Sequence, residues 1–193
     1  GSTAGDSSGN SRNGTLNADM VTHGSWVAGH TGLARDTALK FTQPVGPVPR
    51  VDWVNAGNPL PLTDNGNFEV EMWLRADGFA AEEYLFSLGQ TAGTTVAIRA
   101  NPALTSNVTS ISKVGMTTIN TGTGNFAETI IDLGSNPINA SAWQHVRLVY
   151  AETSPYVNSG SPGTSTVDFY VNGVLAGNAA LGYALSDLTT EAH

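Results

Sequence analysis

The sequence predicts an all-β protein, and three observations carry that prediction. The chain has 193 residues, which is enough for one sizeable domain with its own core. Val, Ile, Phe, Tyr and Trp come in short runs separated by Gly, Thr, Ser and Asn, as in short strands joined by turns. No stretch keeps an apolar period of about 3.6 residues through three helical turns. Regular strands with turn chemistry between them indicate a sandwich or a barrel.

The charge balance excludes several classes of function. The net charge is −8, and the only lysines are Lys40 and Lys113. A nucleic-acid-binding protein needs clustered positive charge, so neither nucleic acid nor an anionic lipid surface is expected as a partner. The sequence has no apolar run long enough to span a membrane, so membrane insertion is not expected. An acidic, lysine-poor surface suits calcium or a neutral polar ligand. The absence of cysteine excludes disulfides and thiol chemistry and favours a microbial source.

The first third of the chain is dominated by turn-forming residues. Residues 1–36 are rich in Gly, Ser and Asn and predict loops with at most one short strand. Residues 37–42 ("TALKFT") predict a strand, which the prolines of residues 43–49 end because proline cannot donate to a ladder. Residues 50–54 ("RVDWV") alternate again, and a turn-rich connection follows over residues 55–67.

The remainder alternates between short β runs and turns. Strands are predicted over residues 68–76, 83–89, 94–100, 109–119, 127–134 and 142–150. A flexible connection is predicted over residues 152–165. A hairpin follows over residues 166–177, and its Asn172-Gly173 turn is a strong hairpin signal because both positions need positive φ.

The strand in "NFEVEMWLRAD" (67–77) raises a functional question. Residues two apart on a strand share a face, so Glu69, Glu71 and Trp73 point to one side of it. Its other side is wholly apolar, with Phe68, Val70, Met72 and Leu74. A carboxylate pair beside an aromatic ring is what a sugar-cleaving enzyme needs. It is also what the wet side of an ordinary half-buried strand looks like.

Seven stretches occur in an order that resembles a known family. They are Asp6–Leu16 ("DSSGNSRNGTL"), Trp26–Gly32 ("WVAGHTG") with Ala38–Phe41 ("ALKF"), Asn67–Asp77, Leu85–Gly89 ("LFSLG"), Trp143–Tyr150 ("WQHVRLVY") and Val167–Gly177 ("VDFYVNGVLAG"). Together they resemble the laminin-G-like and pentraxin-like modules of the concanavalin A-like lectin/glucanase superfamily. The resemblance implies a two-sheet antiparallel jelly-roll sandwich, forming one domain over residues 1–193. It also implies a non-catalytic module of a secreted or cell-surface protein that binds glycans or proteins and serves in adhesion.

The chain departs from the family pattern at both ends. Family domains usually have a strand before the "DSSGN" loop, and only five residues precede Asp6. They usually close with a glycine-rich pair of strands, and here the sequence ends in "LSDLTTEAH". Edge strands missing at both ends would leave sheet edges open to another chain. The sequence therefore also predicts self-association, and a structural subunit of an extracellular assembly is the first alternative function.

A glycoside hydrolase that uses Glu69 and Glu71 is the second alternative. Glucanases of the superfamily carry three acids in a Glu-x-Asp-x-x-Glu pattern, and this chain has Leu74 at the third position and Glu71 at the second. A retaining site also needs one carboxyl group with a raised pKa about 5 Å from a normal one. Because the third acid is missing, no catalytic residue is predicted and a structural strand is favoured.

Residues 6–14 ("DSSGNSRNG") form the predicted metal loop. Calcium takes six to eight oxygen ligands from carboxylates, amide side chains and carbonyls. Asp6, Asn10 and Asn13 offer that chemistry in a glycine-rich loop, and related modules often hold calcium there. The alternative is a loop of Asx turns that holds no metal.

Aromatic side chains beside loops are the candidate ligand contacts. A pyranose ring stacks its apolar face on an aromatic ring, so exposed aromatic residues with polar neighbours are typical of glycan sites. Trp26, Trp53, Tyr156 and Tyr183 are the predicted ligand-binding residues. Burial in a core is the competing interpretation for each of them.

Overall fold

The computed structural model confirms an all-β antiparallel fold. It describes residues 2–5, 11, 13–23, 26–41, 54–55, 67–79, 84–89, 94–100, 108–120, 125–155 and 163–184. The chain forms two compact units, Gly1–Pro61 and Leu62–His193. In the described ranges, no helix is long and apolar enough to cross a membrane.

The described residues of the first unit form short strands and one short helix. Its elements are β1 (Thr3–Ala4), β2 (Gly14–Leu16), α1 (Ala18–His23), β3 (Trp26–Ala28), β4 (Thr37–Leu39) and β5 (Val54–Asn55). Strands β1, β2 and β5 form a three-stranded sheet in that order, and β3 pairs with β4 in a separate two-stranded ribbon. The ribbon exposes all three residues of β3.

Two predictions for the first unit are wrong. The described part of residues 1–36 contains three strands and a helix rather than loops with one strand at most. The helix forms because the Asn17 side chain caps it, accepting a hydrogen bond from the Met20 amide at 3.1 Å. A strand also precedes Asp6, because β1 pairs with β2 through Thr3 and Thr15. The C-terminal counterpart, residues 185–193, lies outside the described residues.

The second unit is a sandwich of two four-stranded sheets. Its strands are β6 (Phe68–Leu74), β7 (Tyr84–Gly89), β8 (Thr94–Ala100), β9 (Ser110–Ile111), β10 (Lys113–Asn120), β11 (Asn125–Asp132), β12 (Ile138–Asn139), β13 (Gln144–Ser154), β14 (Thr164–Val171) and β15 (Val174–Leu181). One sheet has the order β15-β14-β13-β6 and the other β11-β10-β8-β7, with all pairs antiparallel. The short strands β9 and β12 pair with each other.

The core lies between these two sheets. Every second residue of β13 from Gln144 to Tyr150 is buried, and the residues between them are only half-buried. Strand β14 alternates in the same way. On β6 the inner residues are buried or half-buried and the outer residues are exposed. Side chains from both sheets line a shared apolar space, among them Val70, Met72, Phe86, Ile98, Leu148 and Phe169. The apolar residues that alternate along these strands thus form the inner face of the β6–β15 sheet, and the residues between them form its outer face.

The predicted turn between β14 and β15 is confirmed. Asn172 has φ 52° and Gly173 has φ 80°, so both residues occupy the left-handed region that this hairpin turn requires. The Asn172 side chain also accepts a hydrogen bond from the His145 amide at 2.9 Å, which ties the turn to β13. The predicted flexible connection over residues 152–165 is shorter than expected, since β13 continues to Ser154 and β14 begins at Thr164.

Candidate functional site

The outer face of the β6–β15 sheet collects charged and aromatic side chains. Strands β6 and β13 are antiparallel neighbours, and their register sets Glu71 opposite Arg147 and Trp73 opposite His145. The next strand, β14, sets Tyr170 opposite Arg147. We call the surface formed by Glu69, Glu71, Trp73, His145, Arg147 and Tyr170 the polar–aromatic face.

A two-pronged ion pair lies at the centre of this face. Arg147 donates from Nε to Glu69 Oε1 at 2.6 Å and from Nη2 to Glu69 Oε2 at 2.7 Å. The Arg147 guanidinium carbon also lies 5.2 Å from the centre of the Tyr170 ring, within the range of a cation–π contact. Both oxygens of Glu69 are therefore occupied, and the guanidinium is held in place on two sides.

This ion pair predicts a pH dependence. Hydrogen bonds from Arg147, followed by its positive charge, hold the pKa of Glu69 below its ordinary value of 4.5. A carboxyl group whose pKa is lowered by folding stabilises the native state above its unfolded pKa, and that contribution is lost as the pH falls through the folded value. NMR titration of the Glu69 side-chain carboxyl should show the lowered pKa, and Arg147→Gln should return it towards 4.5. An identical Glu69 titration in both proteins would contradict the pairing.

Trp73, His145 and Glu71 form a second group at the end of the face. The Trp73 side chain is 47% exposed although it lies in the regular part of a strand. Its ring centre is 5.3 Å from that of His145, at an angle of 56° between the ring planes. Nε2 of His145 is in turn 3.4 Å from Oε2 of Glu71, an ion pair when the imidazole is protonated. An accessible indole thus has a hydrogen-bonding nitrogen and a carboxylate beside it.

The carboxylate pair of β6 is where the sequence predicted it, on the same side as Trp73. Glu69 is poorly suited to be a general acid, because that role needs a raised pKa and Arg147 lowers it. Leu74, which stands where the glucanase pattern has its third acid, belongs to the inner series of β6 with Phe68, Val70 and Met72.

The other predicted site residues lie on other elements or outside the described residues. Trp26 is 41% exposed and lies on β3 in the first unit. Tyr183 follows β15 and is half-buried. Its backbone carbonyl oxygen accepts a hydrogen bond from the Ser165 hydroxyl at 2.7 Å. Trp53 and Tyr156 lie outside the described residues. Their roles as ligand contacts stay predictions.

The predicted metal loop is described only in part. Asp6 and Asn10 lie outside the described residues, and Asn13 is exposed. In the part of the chain that the structure describes, no three His, Asp or Glu side chains are grouped as metal ligands. The Asn13 side chain offers one oxygen, and calcium takes six to eight oxygen ligands. The calcium site therefore stays a prediction.

Sequence reasoning did not assign His145, Arg147 and Tyr170 to a site. Their alternation with buried residues gave the local signal that they point away from the core. Their proximity to Glu69, Glu71 and Trp73 depends on the pairing of β13 with β6 and β14, which no short sequence pattern specifies. The missing information was the long-range register.

Comparison with known proteins places the chain in a family. The matching family model is the laminin-G-like one described as the concanavalin A-like lectin/glucanases superfamily, and it covers residues 50–193. No curated protein and no solved structure matches the chain. The match does not reach residues 1–49, so a single domain over residues 1–193 stays a prediction. With its antiparallel sandwich and a family match over about three quarters of its length, the chain belongs to the laminin-G-like family of the concanavalin A-like lectin/glucanases superfamily.

Proposed function

We propose that this protein is a non-catalytic glycan-binding module and that the polar–aromatic face is its binding site. The observation that carries the proposal is Trp73, whose indole is 47% exposed on a rigid sheet with polar groups beside it. An indole stacks well on the apolar face of a pyranose, and the neighbouring His145 and Glu71 are placed to hydrogen-bond hydroxyl groups. The family match supports a lectin-like or other binding role in general.

The site is proposed to bind its ligand without cleaving it. The Glu69 carboxylate is engaged by Arg147 through both oxygens and has a lowered pKa. Leu74 stands where the glucanase pattern requires the third acid. A glycoside hydrolase that uses Glu69 and Glu71 would release reducing ends from a polysaccharide, and we expect no release above buffer. Turnover that disappears in Glu69→Gln or Glu71→Gln would establish the enzyme instead.

The binding proposal is tested with Trp73→Ala on a panel of immobilised polysaccharides. We expect at least one glycan to bind the wild-type protein and the variant to bind it about tenfold or more weakly, since a stacked ring and its buried area are worth at least about 1.4 kcal/mol. Phe41→Ala is the matched control, because it removes an aromatic residue that is 55% exposed, belongs to the other unit and is assigned to no site. Unchanged binding by Trp73→Ala, or loss in Phe41→Ala alone, would contradict this site.

A second candidate function is self-association in an extracellular assembly. The ribbon of β3 and β4 supports it, because Trp26 and Val27 are 41% and 39% exposed on β3 and Leu33, in the connection, is 71% exposed. A two-stranded ribbon is marginal alone and gains stability when its apolar groups are covered. Light scattering with size exclusion should show concentration-dependent dimers or larger species, reduced in a Val27→Ser/Leu33→Ser variant. A sharp monomer peak at all concentrations would remove this candidate.

Calcium is proposed as a structural ligand of the loop that contains Asp6, Asn10 and Asn13. An ion that binds only the folded protein raises the melting temperature by mass action. We expect millimolar calcium to raise the melting temperature of the chelator-treated protein and Asp6→Ala to abolish that increase. A melting curve unaffected by calcium and by chelator would remove the site.

The proposal of a glycan-binding module also places the protein outside a microbial cell, either secreted or at the cell surface. The support for this location is the resemblance of the sequence motifs to modules of secreted and surface proteins, together with the absence of cysteine. Fractionation of the source cells with an antibody to the chain tests the assignment. Recovery of the protein only from the cytosol would overturn it.

A further inference from the structure

The polar–aromatic face carries more negative than positive charge. Within β6, β13, β14 and β15 the only Arg or Lys is Arg147, while Glu69, Glu71 and Asp168 all belong to the outward-facing series. The exposed Arg75 follows directly after β6 and is a second cation at the Trp73 end of the face. The second unit as a whole also has a net negative charge. Residues 62–193 hold twelve of the sixteen acidic residues and four of the eight basic ones, so they account for the whole net charge of −8.

The guanidinium of Arg147 is already committed. Its Nε and Nη2 donate to Glu69 at 2.6 and 2.7 Å, and its carbon atom Cζ lies 5.2 Å from the centre of the Tyr170 ring. A carboxylate or sulfate on a ligand would have to displace Glu69 to gain that cation, which would leave Glu69 without its charged partner. An anionic ligand therefore gains no free cation from these four strands. Beyond their ends it has Arg75 to set against Glu71, Asp168 and the net charge of −8 on residues 62–193.

Glu71 is the carboxylate nearest the exposed indole along the strand. It precedes Trp73 by two residues on the same face, roughly 7 Å along the strand. Its side chain is 60% exposed and reaches His145, whose ring adjoins Trp73. A pyranose stacked on Trp73 directs its equatorial hydroxyls outward in the plane of the ring, towards Glu71 and His145. Hydroxyl groups donate to a carboxylate in strong charge-assisted hydrogen bonds, whereas a uronate or a sulfate ester is repelled by it.

We infer that the polar–aromatic face selects uncharged glycans over acidic ones, with Trp73 as the stacking platform and Glu71 as the acceptor of sugar hydroxyls. The inference rests on the proposed function and adds the ligand class and the residue that sets it. It also predicts the direction of the salt effect. Salt screens the repulsion between like charges, so added salt should reduce the difference in affinity between neutral and acidic ligands.

The test compares a bound glycan with its own C6-oxidised form, in which the primary hydroxyl has become a carboxylate. The pair differs in charge and hardly at all in shape. At a pH of about 8 and low ionic strength, we expect the wild-type protein to bind the oxidised form about tenfold or more weakly, and about 0.5 M salt to reduce that ratio. Glu71→Gln should weaken binding of the neutral glycan by several fold, because a charge-assisted hydrogen bond becomes an ordinary one. It should also reduce the ratio between the affinities for the neutral and the oxidised form, because the repelling charge is removed.

Glu152→Gln is the matched control, since it makes the same change on β13 at a position roughly 24 Å along the strand from His145. It should leave both affinities unchanged. Equal or tighter binding of the oxidised glycan, lost in Trp73→Ala, would overturn the inference and leave the proposed function standing. If no glycan of either class binds, the proposed function fails and the inference falls with it.

Discussion

Replacing Tyr150 with alanine is expected to destabilise the protein by about 3 to 5 kcal/mol, the range measured when large aromatic side chains are removed from cores. Tyr150 is fully buried. Its ring stacks on Phe68, with the centres 5.0 Å apart and the planes 22° apart, and the two residues are register partners on β13 and β6. Truncation would leave a cavity between these strands. The loss is a large part of the roughly 5 to 15 kcal/mol that stabilises a typical domain.

Two further variants make that expectation specific to the ring. Tyr150→Phe keeps the stack and removes only a hydroxyl that lies 3.4 Å from Glu152 Oε1, so it should cost about 1 kcal/mol or less. Val174→Ala changes a side chain that is 53% exposed and should stay within about 0.5 kcal/mol of wild type. Denaturant unfolding of the full chain gives all three values. A Tyr150→Ala protein as stable as Tyr150→Phe would show that the ring is not packed as described.

The parts of the fold that the sequence predicted well are those encoded locally. Alternation with a period of two residues placed Val146, Leu148 and Tyr150 in the core, and the structure buries all three. The Asn172-Gly173 pair fixed a hairpin because few other residues accept positive φ at both positions. In such segments the local pattern and the tertiary environment demand the same conformation.

The elements that were missed are short or held by distant partners. Helix α1 has six residues, too few to show a helical period, and its Asn17 cap is inconspicuous in a stretch already rich in turn residues. Strand β1 has two residues and exists because it pairs with β2. The strand of Ile138–Asn139 is equally short and pairs with Ser110–Ile111. Nothing within such segments distinguishes a strand from a loop.

The sequence predicted only half of the candidate site. The sequence placed Glu69, Glu71 and Trp73 together because they lie on one strand. It gave no means of seeing that Arg147, 78 residues after Glu69, would occupy that carboxylate. That single contact changes the chemistry of the pair, since it lowers the pKa of Glu69 and removes the free guanidinium that would attract an acidic ligand. Local pattern predicts which groups share a face, and long-range register decides what those groups can do.

Gly177→Ala is expected to destabilise the protein by about 3 kcal/mol, at the upper end of the usual cost of overpacking. A Cβ atom at Gly177 would lie 2.2 Å from the backbone oxygen of Asp132 and 2.9 Å from Cγ2 of Ile131. Both neighbours belong to β11 in the opposite sheet, so the glycine lets β15 approach the other layer of the sandwich. A rigid strand backbone cannot move aside as a side chain can, and the two sheets would have to separate locally.

Gly182→Ala separates this steric cost from the general effect of replacing glycine. An ideal Cβ at Gly182 meets no atom within 4 Å, and the residue follows directly after the end of β15. Neither glycine has a positive φ, so alanine is conformationally acceptable at both positions. Removing a glycine also restricts the unfolded chain, which makes Gly182→Ala neutral or stabilising by up to about 1 kcal/mol. Equal unfolding free energies for the two variants would contradict the close approach of the sheets at Gly177, whereas a difference of about 3 kcal/mol or more would locate the contact that closes this side of the sandwich.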